Sequence, residues 1–427
     1  MERNIFIMIL KILTIVHISF AQKWTYYNTS NSDIPSNNIT SFSIKNDTII
    51  VGTQNGGMAI FDQTNWTTFN TDNSIIPSNN VKKVIYNNKG IWLSCFIGIG
   101  YNYLVRIKND DWRIWTNILN NQESNFSDIE FDESGIAWMV TGYASGWVTR
   151  FNEDTFESFN SNNSCLPKFS SSGKLPFSIK VIDEETRWIG LLDNTFGSAA
   201  DNTGVVLMEN DICTYYNPDN SNFPENHQAI KEIHNDSEND NIIWFLSNDG
   251  IIKFDGQFWE DIYIPSAPNT MTFDNDNRLW VDIRGIGLRY YKNGEWFMPI
   301  ENPGGSVQEM HVDEKNRLWV STETNGLAYF NLDELQNTST KFVDNKKVIV
   351  FPTIFKDYVT VNLEDINLKG VEFNLFDMEG HLLLKESIVL KSTSFNIPET
   401  LKSFFIYTIV KDNVTIGSGK LFRVLAN

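Results

Sequence analysis

The sequence predicts an all-β protein, a seven-bladed β-propeller followed by a small C-terminal β-sandwich. Three observations predict it. Short strands and turns repeat with a period of about 45 residues. Two aromatic markers alternate through that repeat. The array also begins with a surplus strand and ends with one missing. The clearest copy is Met271–Trp296, MTFDNDNRLWVDIRGIGLRYYKNGEW. The polar run Asp274–Arg278 is a tight turn, and Leu279-Trp280-Val281 is an apolar core strand. Gly285 and Gly287 break it, Leu288–Tyr291 alternates with period two, and Lys292–Glu295 turns the chain into a last strand at Trp296. Met310–Phe330 repeats the pattern.

The first marker is the tryptophan of the core strand. It recurs at Trp92, Trp138, Trp188, Trp244, Trp280 and Trp319, with Ile50 in the same place in the first copy. The second marker is an aromatic outer strand followed by a polar loop, at Trp24, Trp66, Trp112, Phe156, Cys213, Trp259 and Trp296. Four short strands per period are the pattern of a propeller blade. Trp24–Asn28 is an outer-strand copy with no blade before it, and Gly326–Asn331 is followed by no aromatic outer strand. The N-terminal strand is therefore expected to complete the last blade, which closes the ring and removes open sheet edges.

Residues 1–21 read as a secretory signal peptide: Arg3 in a short n-region, an apolar segment Ile5–Phe20 interrupted by Lys11, Thr14, His17 and Ser19, and small residues before Gln22. No other stretch is apolar enough to span a membrane, so no transmembrane segment is expected in the mature chain. The formal net charge of −19 argues against nucleic acid and anionic membrane as partners. Cys95, Cys165 and Cys213 make an odd count at wide spacing, which is no disulfide framework and no metal site. Cys95 is expected as a buried small hydrophobe, and a Cys165–Cys213 bridge is conceivable. The organisation is then signal peptide 1–21, propeller 22–338, linker 339–347 and sandwich 348–427. Seven strands are readable in the last domain, from Val348–Phe351 to Gly417–Val424.

Few motifs carry chemistry. His227, His234, His311 and His381 show no metal-ligand spacing. No P-loop, GxGxxG, GxSxG or CxxC occurs, so no cofactor and no catalytic residues are expected. The run Asp274–Asn277 resembles half of a calcium loop but lacks its glycine and distal glutamate, and reads as a solvated turn. Acidic residues recur at that turn as Asp132-Glu133, Asp183-Glu184 and Asp313-Glu314. What remains is a binding face, built from the connections between second and third strands at one end of the central channel. Phe96, Tyr101, Tyr143, Trp147 and Phe196 supply rings there, and Arg284 and Glu323 supply charges. Rings beside polar groups suit a sugar, which offers apolar faces and hydroxyl edges.

The propeller region resembles the two-component regulator propeller repeats of secreted and periplasmic bacterial proteins. The resemblance rests on the loop Ser74–Val81, echoed at Ser32–Ile39, on the core tryptophan, and on glycine pairs such as Gly56-Gly57. In that family the propeller often senses a glycan for a fused kinase, and no kinase follows here. The C-terminal region resembles the sorting domain of type IX secretion in Bacteroidetes, through Phe351-Pro352-Thr353, Asp377–Gly380, Ile397-Pro398 with Ile406-Tyr407, and Gly419-Lys420-Leu421. It departs at Thr353-Ile354, where Asn-Pro is usual, and at Ser403-Phe404, where glycine is common. These resemblances imply a secreted or surface-attached, non-catalytic propeller with a glycan or cell-surface protein as partner, exported through the type IX machinery. The alternatives are a scaffold of the secretion and attachment machinery, or a propeller polysaccharide lyase or hydrolase.

Overall fold

The computed structural model describes residues 24–98, 101–116, 126–141, 147–169, 174–193, 203–239, 241–298, 302–335, 340–342, 348–351, 354–355, 358–363, 368–377, 381–398, 404–411 and 414–423. The expected signal peptide lies outside them. Seven antiparallel sheets follow in chain order, and each is called a blade below. Blade 1 spans 39–69, blade 2 81–115, blade 3 126–159, blade 4 174–216, blade 5 230–262, blade 6 268–298 and blade 7 307–331. The second strand of every blade holds the predicted core tryptophan or, in blade 1, Ile50. The outer strands fall on the predicted aromatic markers.

The ring closes as the sequence predicts. Thr25–Tyr27 pairs antiparallel with Leu327–Asn331, with Tyr26 opposite Ala328, and so becomes the outer strand of blade 7. Trp24 is buried against Phe330, with ring centroids 5.6 Å apart. Seven separate apolar clusters fill the seven seams between successive blades. The blade 7/1 seam joins Trp319 and Leu327 to Ile39 and Phe42, and the blade 2/3 seam joins Trp92 and Leu104 to Ile129 and Phe151. The core is thus distributed around the ring.

Buried Cys95 packs in the seam between blades 1 and 2, where burial pushes its thiol up to about 12. Cys165 and Cys213 are bridged, with S–S 2.03 Å. The bridge ties the loop leaving blade 3 to the outer strand of blade 4. Spacing could not reveal this pair, because only the propeller packing brings the two positions together. The expected linker 339–347 also needs correction. Thr340–Phe342 pairs with Glu295–Met298 and adds a fifth strand to blade 6, covering an outer edge that would otherwise stand open.

The C-terminal region is a sandwich. Val348–Phe351, Tyr358–Leu363 and Ser392–Asn396 form one sheet. Ile354–Phe355, Val414–Arg423, Phe404–Lys411, Val371–Phe376 and Leu382–Ser387 form the other. A shared core includes Val361, Phe373, Phe395 and Phe405. The strand beyond the seven expected is Ile354–Phe355, too short for a periodicity signal, and it pairs parallel to Val414–Arg423.

Candidate ligand face and central channel

The fourth residue after the core tryptophan is an equivalent position at the end of the second strand, and in blades 1, 5, 6 and 7 the strand stops one residue before it. Gln54, Phe96, Asn248, Arg284 and Glu323 occupy it. Their backbone N–H groups donate to the carbonyls of Asn38, Asn80, Ala229, Ala267 and Ser306, in the loop that enters the same blade. One bond geometry therefore fixes five chemically different side chains at the same end of the ring. Four of them are exposed, and Phe96 is half-buried with the Lys82 ammonium 5.3 Å from its ring centroid. The same end is confirmed by bonds between neighbouring blades: Gly57 N–H donates to Asn79 O and Gly326 N–H to Asn37 O.

Phe96, Arg284 and Glu323 thus share one ring of positions, as the sequence pattern expects. Tyr101 and Trp147 open the third strands of blades 2 and 3, and their side chains lie outside the described residues, as do Tyr143 and Phe196 entirely. The base of the Phe196 loop is described: Thr203 N–H donates to His227 O and Asp193 N–H to Gln228 O. The two residues that flank the connection are therefore bonded to the entrance of blade 5.

Entry loops on this face are built to one plan. Asn70 accepts from Asp72 N–H at 2.8 Å, Asn73 Oδ1 accepts from Asn70 N–H at 2.8 Å, and Ser74 donates to Asn70 O. The loops at Asn28, Asn160 and Asn217 repeat these bonds. Side-chain amides here substitute for backbone turn bonds. Ile34, Ile76, Leu166 and Phe223 anchor the four loops in the core. The motif shared with the propeller repeats is accordingly structural.

The acidic turn is structural as well: its tip is solvated, with Asn275 and Asp276 exposed, but its first aspartate is buried. Asp274 is 2% exposed and accepts from Trp280 Nε1 and Arg278 Nε, both at 2.6 Å. Asp313 does the same for Trp319 and Arg317, and Asp236 and Asp132 accept from Trp244 and Trp138. A buried indole N–H needs an acceptor, and the repeated aspartate provides it. Where Tyr86 replaces it in blade 2, Trp92 Nε1 has no acceptor.

The seven innermost strands surround a central cavity of about 420 Å³. Each carries a bulge at the same point, and the residue after the bulge is Ser41, Lys83, Asp128, Ser178, Glu232, Thr270 or Glu309. Innermost strands of neighbouring blades share no backbone ladder, and these side chains bridge them instead. Asp128 accepts from Ile179 N–H at 3.0 Å, Glu232 from Met271 N–H at 3.0 Å and Glu309 from Phe42 N–H at 2.7 Å. Ser41 accepts from Val84 N–H, and Ser178 donates to Ile230 O. Lys83 pairs with Glu309 at 3.1 Å and Lys180 with Glu130 at 3.0 Å. Burial alone would raise Glu309, but Lys83 and His311 hold its carboxyl well below the usual range. Asp128 goes the other way, since burial pushes it up to about 6 despite Lys83. The sequence pattern missed this layer because strand alternation hides which residue follows a bulge.

His227 lies between Ser247 and Asp261. Nδ1 is 2.6 Å from Ser247 Oγ, and Nε2 is 3.7 Å from Asp261. Ser247 is fully buried and also donates to Gly250 O. It is the counterpart of Thr53 and Thr322, whose hydroxyls donate to Gly57 O and Gly326 O. The hydroxyl belongs to a repeated turn and has no path to a substrate.

No family model matches this chain, and no curated protein matches it in sequence. Solved structures do. The extracellular domain of a putative hybrid two-component system, BT3049 of B. thetaiotaomicron, is similar with a TM-score of 0.55 at 15% identity, covering 94% of this chain and 57% of that one. PorZ, described as an essential bacterial surface component of the type IX secretion system of Porphyromonas gingivalis, gives 0.54 at 13% identity, covering 93% and 61%. The WD40 propeller of Doa1 gives 0.51 at 11%, covering 73% and 97%. At these identities the likeness shows a propeller fold. The chain spans less than two thirds of the length of BT3049 and PorZ. Among the described residues no helix is long and apolar enough to cross a membrane.

Proposed function

We propose that the protein is a secreted or cell-surface binding propeller, non-catalytic, whose ligand is a glycan or other cell-envelope material held on the face that carries Phe96, Arg284 and Glu323. One observation supports this reading above others. Where blade construction demands a residue, most repeats converge on it, as six do at the core tryptophan and four at the turn aspartate. At the equivalent ring of Gln54, Phe96, Asn248, Arg284 and Glu323 they diverge, although the backbone geometry is the same. Divergence at a fixed position suits an asymmetric ligand with both apolar and polar surfaces. Tyr101, Tyr143, Trp147 and Phe196 belong to the same connections and complete the proposed face.

The test is titration of immobilised and soluble glycans against wild type, a Phe96→Ala, Arg284→Ala double variant and a Tyr143→Ala, Trp147→Ala double variant. Each ring contributes on the order of 1 kcal/mol, so the Tyr143→Ala, Trp147→Ala variant should lose roughly thirtyfold in affinity and the Phe96→Ala, Arg284→Ala variant at least about fivefold. Wild-type binding retained by both folded variants rejects the face.

Export follows in the same proposal. The C-terminal sandwich acts as the type IX sorting domain, a reading supported by its motif resemblance. Arg423 ties the last strand to Ile397 O and Pro398 O, within one of the matching motifs. A chain lacking residues 348–427 should fold its propeller and stay in the periplasm, and delivery of that chain to the cell surface would defeat the export reading. Similarity to PorZ also keeps a scaffold role in the secretion machinery as the second reading, which a glycan-independent association with that machinery would favour.

A further inference from the structure

The seam between blades 4 and 5 opens into a crevice of about 600 Å³, away from the ligand face and bordered by turns at the opposite ends of the strands. Its floor is aromatic, from Trp188, Tyr216 and Phe254, and its rim holds Glu209 and Asp255. The ring repeats, so the other seams say what such a crevice normally contains.

In the blade 7/1 seam it contains an arginine. Arg317 lies with its guanidinium carbon 5.0 Å from the ring centroids of both Trp319 and Tyr329. It donates to Gln63 Oε1 in blade 1 at 3.2 Å and lies 3.9 Å from Asp47. The blade 2/3 seam is filled similarly: Arg106 pairs with Glu153, which occupies in blade 3 the turn position of Gln63. Gln63 and Glu153 share the same left-handed backbone, each with φ of 73°.

Strand register transfers these positions to blades 4 and 5. Thr186 lies opposite Glu209 as Arg317 lies opposite Asn331, and Trp188 lies opposite Leu207 as Trp319 lies opposite Tyr329. Asp255 caps its turn as Asp62 does, accepting from the N–H groups two and three residues on. Gly256 then stands at the place of Gln63. Three fillers are therefore gone: Thr186 replaces the arginine of blade 7, Leu207 the arginine of blade 2, and Gly256 the side chain that receives the guanidinium. The space is not filled otherwise, since a Cβ on Gly256 would meet nothing nearer than Asn241 O at 3.8 Å. Ile182 also replaces the turn aspartate, so the turn offers Trp188 no carboxylate. The aromatic floor and the acidic rim remain. Burial and the Glu209 carboxylate together raise the Tyr216 phenol, which places that negative charge close to the floor.

We propose that this crevice binds an arginine side chain of a partner polypeptide, which supplies in trans the guanidinium that Arg317 supplies in cis. A planar cation stacks on aromatic faces and pairs with carboxylates, and both surfaces are present. The volume falls within the range of ligand pockets, roughly 300–1,000 Å³, and leaves room for the flanking peptide backbone.

The experiment follows the Trp188 indole N–H in NMR spectra of the purified protein, assigned with Trp188→Phe. The probe is the blocked tripeptide acetyl-Gly-Arg-Gly-amide, with the Gln analogue, free L-arginine and glucose as controls. The arginine tripeptide should shift the Trp188 signal saturably, and the Gln analogue should not. Free arginine should bind more weakly, because it lacks the peptide backbone. Thr186→Arg, which fills the crevice from within, should abolish the shift and raise the Tm. Glu209→Gln should weaken binding at least threefold and serves if Thr186→Arg does not fold. An arginine peptide that leaves Trp188 unmoved, a Thr186→Arg protein that binds it as well as wild type, or a stronger response to glucose would each overturn the proposal.

Discussion

Blade 7 and blade 4 are built on the same repeat and secured by opposite means. Blade 7 is the shortest copy and borrows its outer strand from the far end of the chain, Thr25–Tyr27. Its seam with blade 1 is filled by Arg317, and its inner strand is locked by Glu309 to Phe42 and Lys83. Blade 4 supplies all four of its strands, carries the long connection 194–202, and is fastened to the preceding loop by Cys165–Cys213. Its seam with blade 5 has an apolar core but keeps an unfilled crevice at the turn end. The ring must close somewhere, and at the closing blade Phe330, Arg317 and Glu309 all serve closure. A blade far from that point can give positions away, and blade 4 has done so at Ile182, Thr186 and Leu207.

The largest test of this contrast removes the closing strand. A chain beginning at Asn31 lacks the partner of Leu327–Asn331 and leaves Phe330 without Trp24. It exposes a sheet edge and the 7/1 core together. It should lose more than about 3 kcal/mol, the scale of a deleted buried aromatic, and unfold in urea without a single cooperative transition. A chain that unfolds as wild type does would mean that closure rests on the seam clusters alone.

The bridge is the counterpart in blade 4. Cys165→Ser with Cys213→Ser frees a loop whose ends lie 48 residues apart in sequence. It should cost about 2–4 kcal/mol, with the Thr25–Tyr27 closure untouched. Reduction of wild type by dithiothreitol should produce the same drop in the urea midpoint, and no drop would make the bridge incidental. A disulfide also fits an oxidising compartment, in line with the proposed export.

Most of the architecture was legible because it depends on local signals. Trp92 to Trp319 mark strands buried on both faces, and such strands are apolar throughout. The surplus Trp24 copy announced closure. What was illegible depends on contacts remote in sequence: Glu309 with Phe42, Cys165 with Cys213, Thr340–Phe342 with the edge of blade 6. The buried state of Asp274 was hidden because a turn of DNDN composition is usually wet. Its role was nonetheless readable, since the aspartate stands six residues before the tryptophan in three blades and eight before it in a fourth. Of the expected face, the shared position of Phe96, Arg284 and Glu323 follows from counting four residues beyond that tryptophan. The 4/5 crevice could have been found by the same count, from the arginine and aspartate missing at Thr186 and Ile182. The informative signal in blade 4 is what it lacks where the other repeats carry an arginine and an aspartate.

The smallest effect separates the two blades by pH. Glu309, at blade 7, has its carboxyl depressed, so its contribution is present above the ordinary carboxylate range and is lost only in strong acid. Asp128, which accepts from Ile179 N–H in blade 4, is raised from 3.8 to about 6. For a raised carboxyl the folded state holds the proton longer than the unfolded state does. Its contribution is therefore complete below about pH 4 and is lost as pH climbs through 6. Solvent in the channel moderates the effect, which should amount to about 1–2 kcal/mol. The measurement is the stability difference between wild type and Asp128→Asn across pH 4.5 to 7.5. Asparagine does not titrate, so the difference should move against wild type as pH rises, whatever the variant costs at any one pH. Glu309→Gln should show only a small trend of the opposite sign, confined to the acid end of that window, because Glu309 stays ionised in the folded protein and completes its ionisation in the unfolded chain just above pH 4.5. A flat Asp128 difference would mean that the carboxylate is as well solvated in the channel as in the unfolded chain, and that the 3/4 seam is as insensitive to neutral pH as the 7/1 seam.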